Sequence, residues 1–220
     1  MIQLPRLYCI VDSTCFSNTP ELLDFADALV AAGCTLLQYR NKSGNARVML
    51  DQARELKRVI AAQVSQNGRD TGHPNGDDPI RLIMNDRADL CLAADYEGVH
   101  VGQDDLYPES ARAIIGPDRW LGVSTHNPEQ LREADLTPAD YLAIGPVFAT
   151  SSKQKPDPTI GLEGVRMARA VTHKPLVAIG GITRRNAVSV IEAGADSVAV
   201  ISDLLREPRK SAEEFLRILR

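Results

Sequence analysis

No two of the four cysteines, Cys9, Cys15, Cys34 and Cys91, fall at Cys-x-x-Cys spacing. Three lie in or beside apolar runs, and the scattered pattern reads as reduced thiols in a cytoplasmic protein. Cys15 is in a loop with no basic partner nearby in sequence to activate it. Also missing is any apolar run near the roughly 18 residues that a bilayer span requires. The opening Met-Ile-Gln-Leu-Pro-Arg goes straight into a strand and lacks the form of a signal peptide. There is no basic excess, since the formal net charge is −4. A global field that would attract nucleic acid is therefore excluded. A Gly-x-Ser-x-Gly elbow is absent and no Ser–His–Asp order is compelling, so a nucleophilic serine is not expected.

What the chain does contain is a rhythm. Eight apolar runs recur, at 7–11, 36–39, 82–84, 98–101, 121–124, 141–144, 176–179 and 197–201, and most precede a helical pattern. They do not alternate apolar with polar, as strands buried on both faces should not. Thr19-Pro20-Glu21 and Asn127-Pro128-Glu129 each place a capping side chain before a proline at the first helical position. Gly33 and Gly194 have the form of helix-ending glycines. Phe215, Leu216 and Leu219 recur at helical spacing within Ser211 to Arg220, which reads as a last outer helix. Eight strand–helix units in 220 residues predict a single-domain (β/α)₈ TIM barrel spanning 1–220, with a doubly wound open sheet as the alternative. The polar, Gly- and Asn-rich stretch Gln66 to Pro79 breaks the rhythm between a helix and the next strand. It reads as a surface insertion, carrying His73, on the face away from the chemistry.

In such a barrel the chemistry sits at the C-terminal strand ends. The third and fourth runs end in Asn85-Asp86 and in Gln103-Asp104-Asp105, and adjacent parallel strands would bring these clusters together. Two carboxylates with amides and no paired His or Cys suit a hard cation such as Mg²⁺, which shares its shell with substrate phosphate. Helix caps or solvated loop acids are the alternative for Asp86 and Asp105. After the second run, alternation sets Gln38, Arg40 and Lys42 on one side. Buried cations need anions, either phosphate or acids of neighbouring strands. Ser124, ending the fifth run, is a donor to substrate or part of a local turn. His126 belongs to the start of the following helix. His100 is either a core histidine or a site residue. Thr150, Ser151 and Ser152 followed by Lys153 form a loop grip for phosphate or pyrophosphate. Gly180-Gly181 and Ile201-Ser202 close the series where barrels recurrently hold phosphate.

Six stretches in order resemble the thiamine-phosphate synthase family across nearly the whole chain. They are Gln38-Tyr39-Arg40-Asn41-Lys42, Asn85-Asp86-Arg87, residues 98–105, Gly122-Val123-Ser124, residues 145–150 with Lys153, and residues 179–182. The resemblance implies a TIM-barrel transferase that joins hydroxymethylpyrimidine diphosphate to thiazole phosphate, with Mg²⁺ as cofactor, to release pyrophosphate. It implies Asp86 and Asp105 as metal ligands. Gln38, Tyr39, Arg40, Asn41, Lys42, Asn85, Ser124 and Lys153 would contact the pyrimidine diphosphate. Thr150, Ser151, Ser152, Gly181, Ile201 and Ser202 would contact the thiazole phosphate, and Arg40, Lys42, Ser124 and Lys153 would be catalytic. Ser152 departs from the family, which often has Thr there, and the 66–79 stretch is longer than usual. A thiazole tautomerase-like isomerase and a non-catalytic regulator binding thiamine phosphates are the rival readings; intact Asp86 and Asp105 argue against the first. The sequence leaves the oligomeric state open, a homo-oligomer included.

Overall fold

The structure, a computed structural model, describes residues 2–67, 79–150 and 158–220. Eight strands form a closed, fully parallel barrel in sequence order. They are β1 (Leu7–Asp12), β2 (Leu36–Arg40), β3 (Arg81–Asn85), β4 (Gly98–Val101), β5 (Trp120–Thr125), β6 (Tyr141–Ile144), β7 (Leu176–Ile179) and β8 (Ser197–Val200). Closure is made by β1 against β8, with Leu7 opposite Val198 and Cys9 opposite Val200. The helices are α1 (Thr19–Ala31), α2 (Ala46–Asn67), α3 (Ala88–Ala93), α4 (Pro108–Ile115), α5 (Pro128–Asp135), α6 (Gly161–Val171), α7 (Ala187–Glu192) and α8 (Pro208–Ile218). The TIM barrel expected from the eight runs is the observed fold.

The eight runs lack alternation because both strand faces are buried, in two different cores. Odd residues of β1, such as Leu7, Cys9 and Val11, pack under the helices with Phe25, Leu29 and Phe215. Even residues Tyr8 and Ile10 enter the barrel, where they meet Leu36, Ile83, Trp120, Tyr141, Ala143, Val177 and Ala199. Leu4 joins this inner cluster, and Arg81 stacks on the Trp120 ring at 4.2 Å.

Helix punctuation follows the expected chemistry with one shift. Asn127 caps α5 by accepting the Gln130 N–H at 2.9 Å. For α1 the cap is Asn18 rather than Thr19: its Oδ1 accepts the Glu21 N–H at 3.0 Å, and Thr19 is the first helical residue. Asn has the better side chain for the position, and Pro20 still falls in the first turn. Gly33 and Gly194 follow α1 and α7 with φ of 99° and 113°, the left-handed stop that Gly makes without strain. The last helix begins at Pro208, earlier than the Ser211 read from the apolar spacing, because Pro208 starts a turn that carries no apolar residue. Of the expected insertion, residues 68–78 with His73 lie outside the described residues. Helix α2 ends at Asn67 and β3 starts at Arg81, so the stretch joins a helix C-terminus to a strand N-terminus.

Candidate active site

Alternation along each strand decides which polar side chains reach the C-terminal mouth. On β2 the even residues continue the barrel interior, so Gln38 and Arg40 face inward and Lys42 follows them. Arg40 Nη1 pairs with Oδ2 of Asp12, the last residue of β1. Asp12 is 3% exposed and also accepts from Thr14 N at 3.0 Å and Thr14 Oγ1 at 2.8 Å, so the carboxylate that orients Arg40 is itself fixed. Lys42 Nζ pairs with Asp86 Oδ2. Both cations thus meet acids of neighbouring strands, the second of the two arrangements the sequence allowed. Tyr39 and Asn41 lie on the other face. Tyr39 donates to Gln52 Oε1 of α2 at 2.7 Å, and Asn41 Nδ2 donates to Tyr39 Oη at 3.0 Å and to Gln52 Oε1 at 2.9 Å. Their side chains brace α2 against the barrel, which leaves only their main chain for a ligand.

At the ends of β3 and β4 the carboxylates converge as the spacing suggested. Asn85 is the register partner of His100. Asp86 turns out of the strand with φ of 62°, its N–H bonded to the His100 carbonyl at 2.7 Å. Asp105 is anchored by one oxygen, Oδ2, which accepts the Gly102 N–H at 2.8 Å. Its carboxylate lies within hydrogen-bonding reach of Asp86. Burial first, and then this neighbour, push the Asp86 pKa up to about 6, against the opposing pull of Lys42. Two carboxylates held side by side, with the proton affinity of Asp86 raised, form a donor set that a hard cation would relieve. Among the described residues no cluster of three or more metal-ligating side chains occurs, so such a cation would take its remaining ligands from water and substrate. Beside the pair, Asn85 Nδ2 is buried with no hydrogen-bond partner, a donor whose isolation costs about 1–3 kcal/mol. Asp104 and Gln103 are exposed, and Gln103 Nε2 donates to the Ser124 carbonyl at 2.6 Å, tying the β4 loop to β5.

Ser124 faces the interior and its Oγ meets His100 Nε2 at 2.8 Å. His100 is therefore a buried residue behind the site, joined to it by hydrogen bonds. Burial holds its pKa down at about 4, which leaves the ring neutral. His126 precedes α5, and its Nδ1 lies 2.7 Å from the Gly145 carbonyl. Cys15 is exposed, with its thiol pKa pushed up by partial desolvation and by Asp12, the opposite of an activated nucleophile.

The far side of the mouth is built by the loops after β6, β7 and β8. Phe148 N–H donates to the Gly180 carbonyl at 3.0 Å, so the segment leading to Thr150 runs along the end of β7. Gly181 has φ of 63°, and a Cβ there would stand 2.5 Å from the Ala149 carbonyl oxygen. Its lack of a side chain thus serves the packing of two loops. Arg184, after Gly181, donates from N and Nε to Asp203 Oδ2 at 2.8 and 3.0 Å, which holds the β7 loop against Ile201 and Ser202. Gly181 and Ile201 are partly exposed and Ser202 is exposed. Ser151, Ser152 and Lys153 lie outside the described residues. Sequence reasoning missed Asp12, a single acid at a strand end with no second signal. It also missed Tyr8 and Tyr141, which count as apolar strand residues until their hydroxyls are seen to meet.

Comparison with known proteins gives this mouth a family. A thiamine-phosphate synthase of Koribacter versatilis is 58% identical over 99% of this chain and 97% of its own length. One from Xanthobacter autotrophicus is 44% identical over 83% of this chain and 80% of its own. Among solved structures, a thiamine phosphate pyrophosphorylase from Pyrococcus furiosus superposes with a TM-score of 0.79 at 32% identity, covering 97% of this chain and 95% of that one. The family model described as thiamine monophosphate synthase matches residues 7–204, from the first strand to the turn after the last, and the chain belongs to that family.

Proposed function

We propose that this protein is a thiamine-phosphate synthase. It would condense hydroxymethylpyrimidine diphosphate with thiazole phosphate to give thiamine phosphate and pyrophosphate. The observation that carries the reading is the composition of the mouth: Asp86 and Asp105 side by side, Arg40 at the end of the adjoining strand with Lys42 just beyond it, and a buried Asn85 Nδ2 with no partner next to Asp86 in the chain. That set is laid out for an anion with a cation attached, and it lacks a paired acid and base for hydrolysis. In the reaction the bond between the pyrimidine methylene carbon and the diphosphate oxygen breaks, and the electron pair leaves with pyrophosphate. The thiazole nitrogen then donates its lone pair to the resulting cation.

The residues divide the work by charge. Arg40, oriented by Asp12, keeps guanidinium donors for the diphosphate, and Lys42 shifts from Asp86 to a phosphate oxygen. Lys153 would add a third cation. Asn85 Nδ2 gains an acceptor, while Gln38 and Ser124 hold the pyrimidine. Thr150, Ser151, Ser152, Gly181, Ile201 and Ser202 hold the thiazole phosphate. Asp86 and Asp105 would hold Mg²⁺, which supplies positive charge against the departing pyrophosphate when bound. The common requirement is stabilisation of charge that grows on the leaving group.

The test supplies both substrates with Mg²⁺ and follows pyrophosphate and thiamine phosphate. Equal amounts of the two products, lost in excess EDTA and restored by Mg²⁺, are expected. Isomerisation of the thiazole ring without thiamine phosphate would give the protein to the tautomerase-like class. Tight binding of thiamine phosphate with no turnover would make it a regulator.

A further inference from the structure

Behind the mouth, the barrel interior holds a line of polar side chains that joins Gln38 to Ser124. Gln38 Nε2 donates to Tyr8 Oη at 2.8 Å, and the Tyr8 and Tyr141 hydroxyls are 3.0 Å apart. Tyr141 Oη lies 3.1 Å from His100 Nδ1, and His100 Nε2 lies 2.8 Å from Ser124 Oγ. Five strands contribute, and Gln38, Tyr8, Tyr141 and His100 are all buried. The backbone makes room for the line at one point. Gly122 is the register partner of both His100 and Tyr141. A Cβ on Gly122 would fall 2.1 Å from Tyr141 Cζ and 2.4 Å from His100 Nδ1, so the contact between histidine and tyrosine exists only because this position has no side chain.

We propose that Tyr8, Tyr141 and His100 form a one-way hydrogen-bond relay that commits the Ser124 hydroxyl to donate to an acceptor atom of the substrate, here the pyrimidine diphosphate. Only the identity of that substrate rests on the synthase reading. The direction follows from counting hydrogens. An amide nitrogen only donates, so Tyr8 accepts from Gln38. The single Tyr8 hydrogen has one acceptor among the described residues, the Tyr141 oxygen. Tyr141 must then give its own hydrogen to Nδ1 of His100. The neutral imidazole carries its one proton on Nε2 and donates it to Ser124. Ser124, having accepted from behind, turns its hydrogen toward the mouth. Running the line backwards requires the Gln38 amide to be turned round, which would leave Ser124 donating inward and presenting lone pairs to the ligand. The relay therefore decides whether this point of the mouth reads an acceptor or a donor. Tyr8, Tyr141 and His100 act as positioning residues through Ser124 and do not touch substrate.

Two measurements test this. In the ligand-free protein labelled with ¹⁵N-histidine, long-range ¹H–¹⁵N spectra report the tautomer of His100, assigned by the loss of its signals in His100→Gln. The Nε2–H form is expected; the Nδ1–H form overturns the relay whatever the protein catalyses. The second measurement compares His100→Gln with His100→Asn. The Gln amide reaches the Nε2 position and still donates to Ser124, whereas the Asn amide reaches only the Nδ1 position. His100→Asn should raise KM for the pyrimidine diphosphate about tenfold, as for one lost hydrogen bond, with KM for thiazole phosphate changed less than twofold. His100→Gln should recover most of that loss. Tyr96→Phe removes a buried tyrosine bond of 2.9 Å to the Ala53 carbonyl, outside the barrel, and serves as the stability control with unchanged KM values. Equal effects of the two His100 substitutions, or equal shifts in both KM values, would reduce His100 to a packing residue. If wild type makes no thiamine phosphate, the synthase reading fails while the tautomer still decides the relay.

Discussion

Asp86 combines three unfavourable circumstances in one residue. Its backbone is left-handed, its side chain is 16% exposed, and a second carboxylate sits against it. A non-glycine residue in that conformation costs about 1 kcal/mol, though Asp and Asn bear it best. Raising the pKa to about 6 means that charging this group at neutral pH opposes folding even with Lys42 alongside. Asp86→Asn keeps the backbone tolerance and removes the charge. In the absence of metal it should stabilise the protein by about 1–2 kcal/mol after allowance for solvent screening, read as a higher Tm. In the synthase assay it should lose about 10²-fold or more in kcat. A variant both less stable and fully active would show that Asp86 is an ordinary strand-end acid.

Among the elements, the loops after β6 and β7 pack against each other at Gly181. Gly181→Ala would put a methyl 2.5 Å from the Ala149 carbonyl oxygen and 2.8 Å from Phe148 Cβ at a φ of 63°. The substitution should destabilise by about 1–3 kcal/mol and raise KM for thiazole phosphate more than KM for the pyrimidine diphosphate. Thermal unfolding and the two KM values check it; an unchanged Tm would mean the loops separate readily. This pair of loops also marks how far the sequence could be read. Apolar runs between helical patterns located all eight strands, because a strand buried on both faces has few other ways to be written. The rank of polar residues at strand ends marked the candidate mouth. Facing was harder: Tyr39 and Asn41 sit within a stretch rich in ligand-type side chains, yet strand alternation turns both toward α2. Partners were the least legible, since Asp12 finds Arg40 and Tyr8 finds Tyr141 only after the barrel has closed across 28 and 133 residues of sequence.

For the molecule as a whole, two buried groups set opposite trends in stability with pH. His100 has its pKa lowered from 6.5 to about 4, so between these values the unfolded chain binds a proton that the folded chain does not. Its contribution is complete above pH 6.5 and is lost as pH falls toward 4. Asp86 is raised from 3.8 to about 6, so there the folded chain holds the extra proton and acidification helps. Over most of that interval the two offset one another, and wild type should show a flatter acid limb than either group would give alone. Replacing His100 exposes the other trend. The stability of His100→Gln relative to wild type should rise by about 2–3 kcal/mol between pH 7 and pH 4.5, measured by urea unfolding at each pH. A constant difference would place His100 in a wetter setting than the barrel interior.

The contact of Lys42 with Asp86 carries a kinetic corollary. If Asp86 takes the metal as proposed, the cation competes with Lys42 for that carboxylate: a metal arriving alone would displace the ammonium, whereas one arriving with a diphosphate would give it a new counter-ion. Metal and diphosphate should therefore load as a synergistic pair. In isothermal titration, Mg²⁺ alone should bind weakly, and saturating pyrophosphate should tighten it at least tenfold. Lys42→Met would erase the synergy by strengthening the metal's solitary binding and weakening its binding in company. The residue that looks like a resting ion pair would then act as the interlock that keeps the enzyme from filling with metal before its substrate has come.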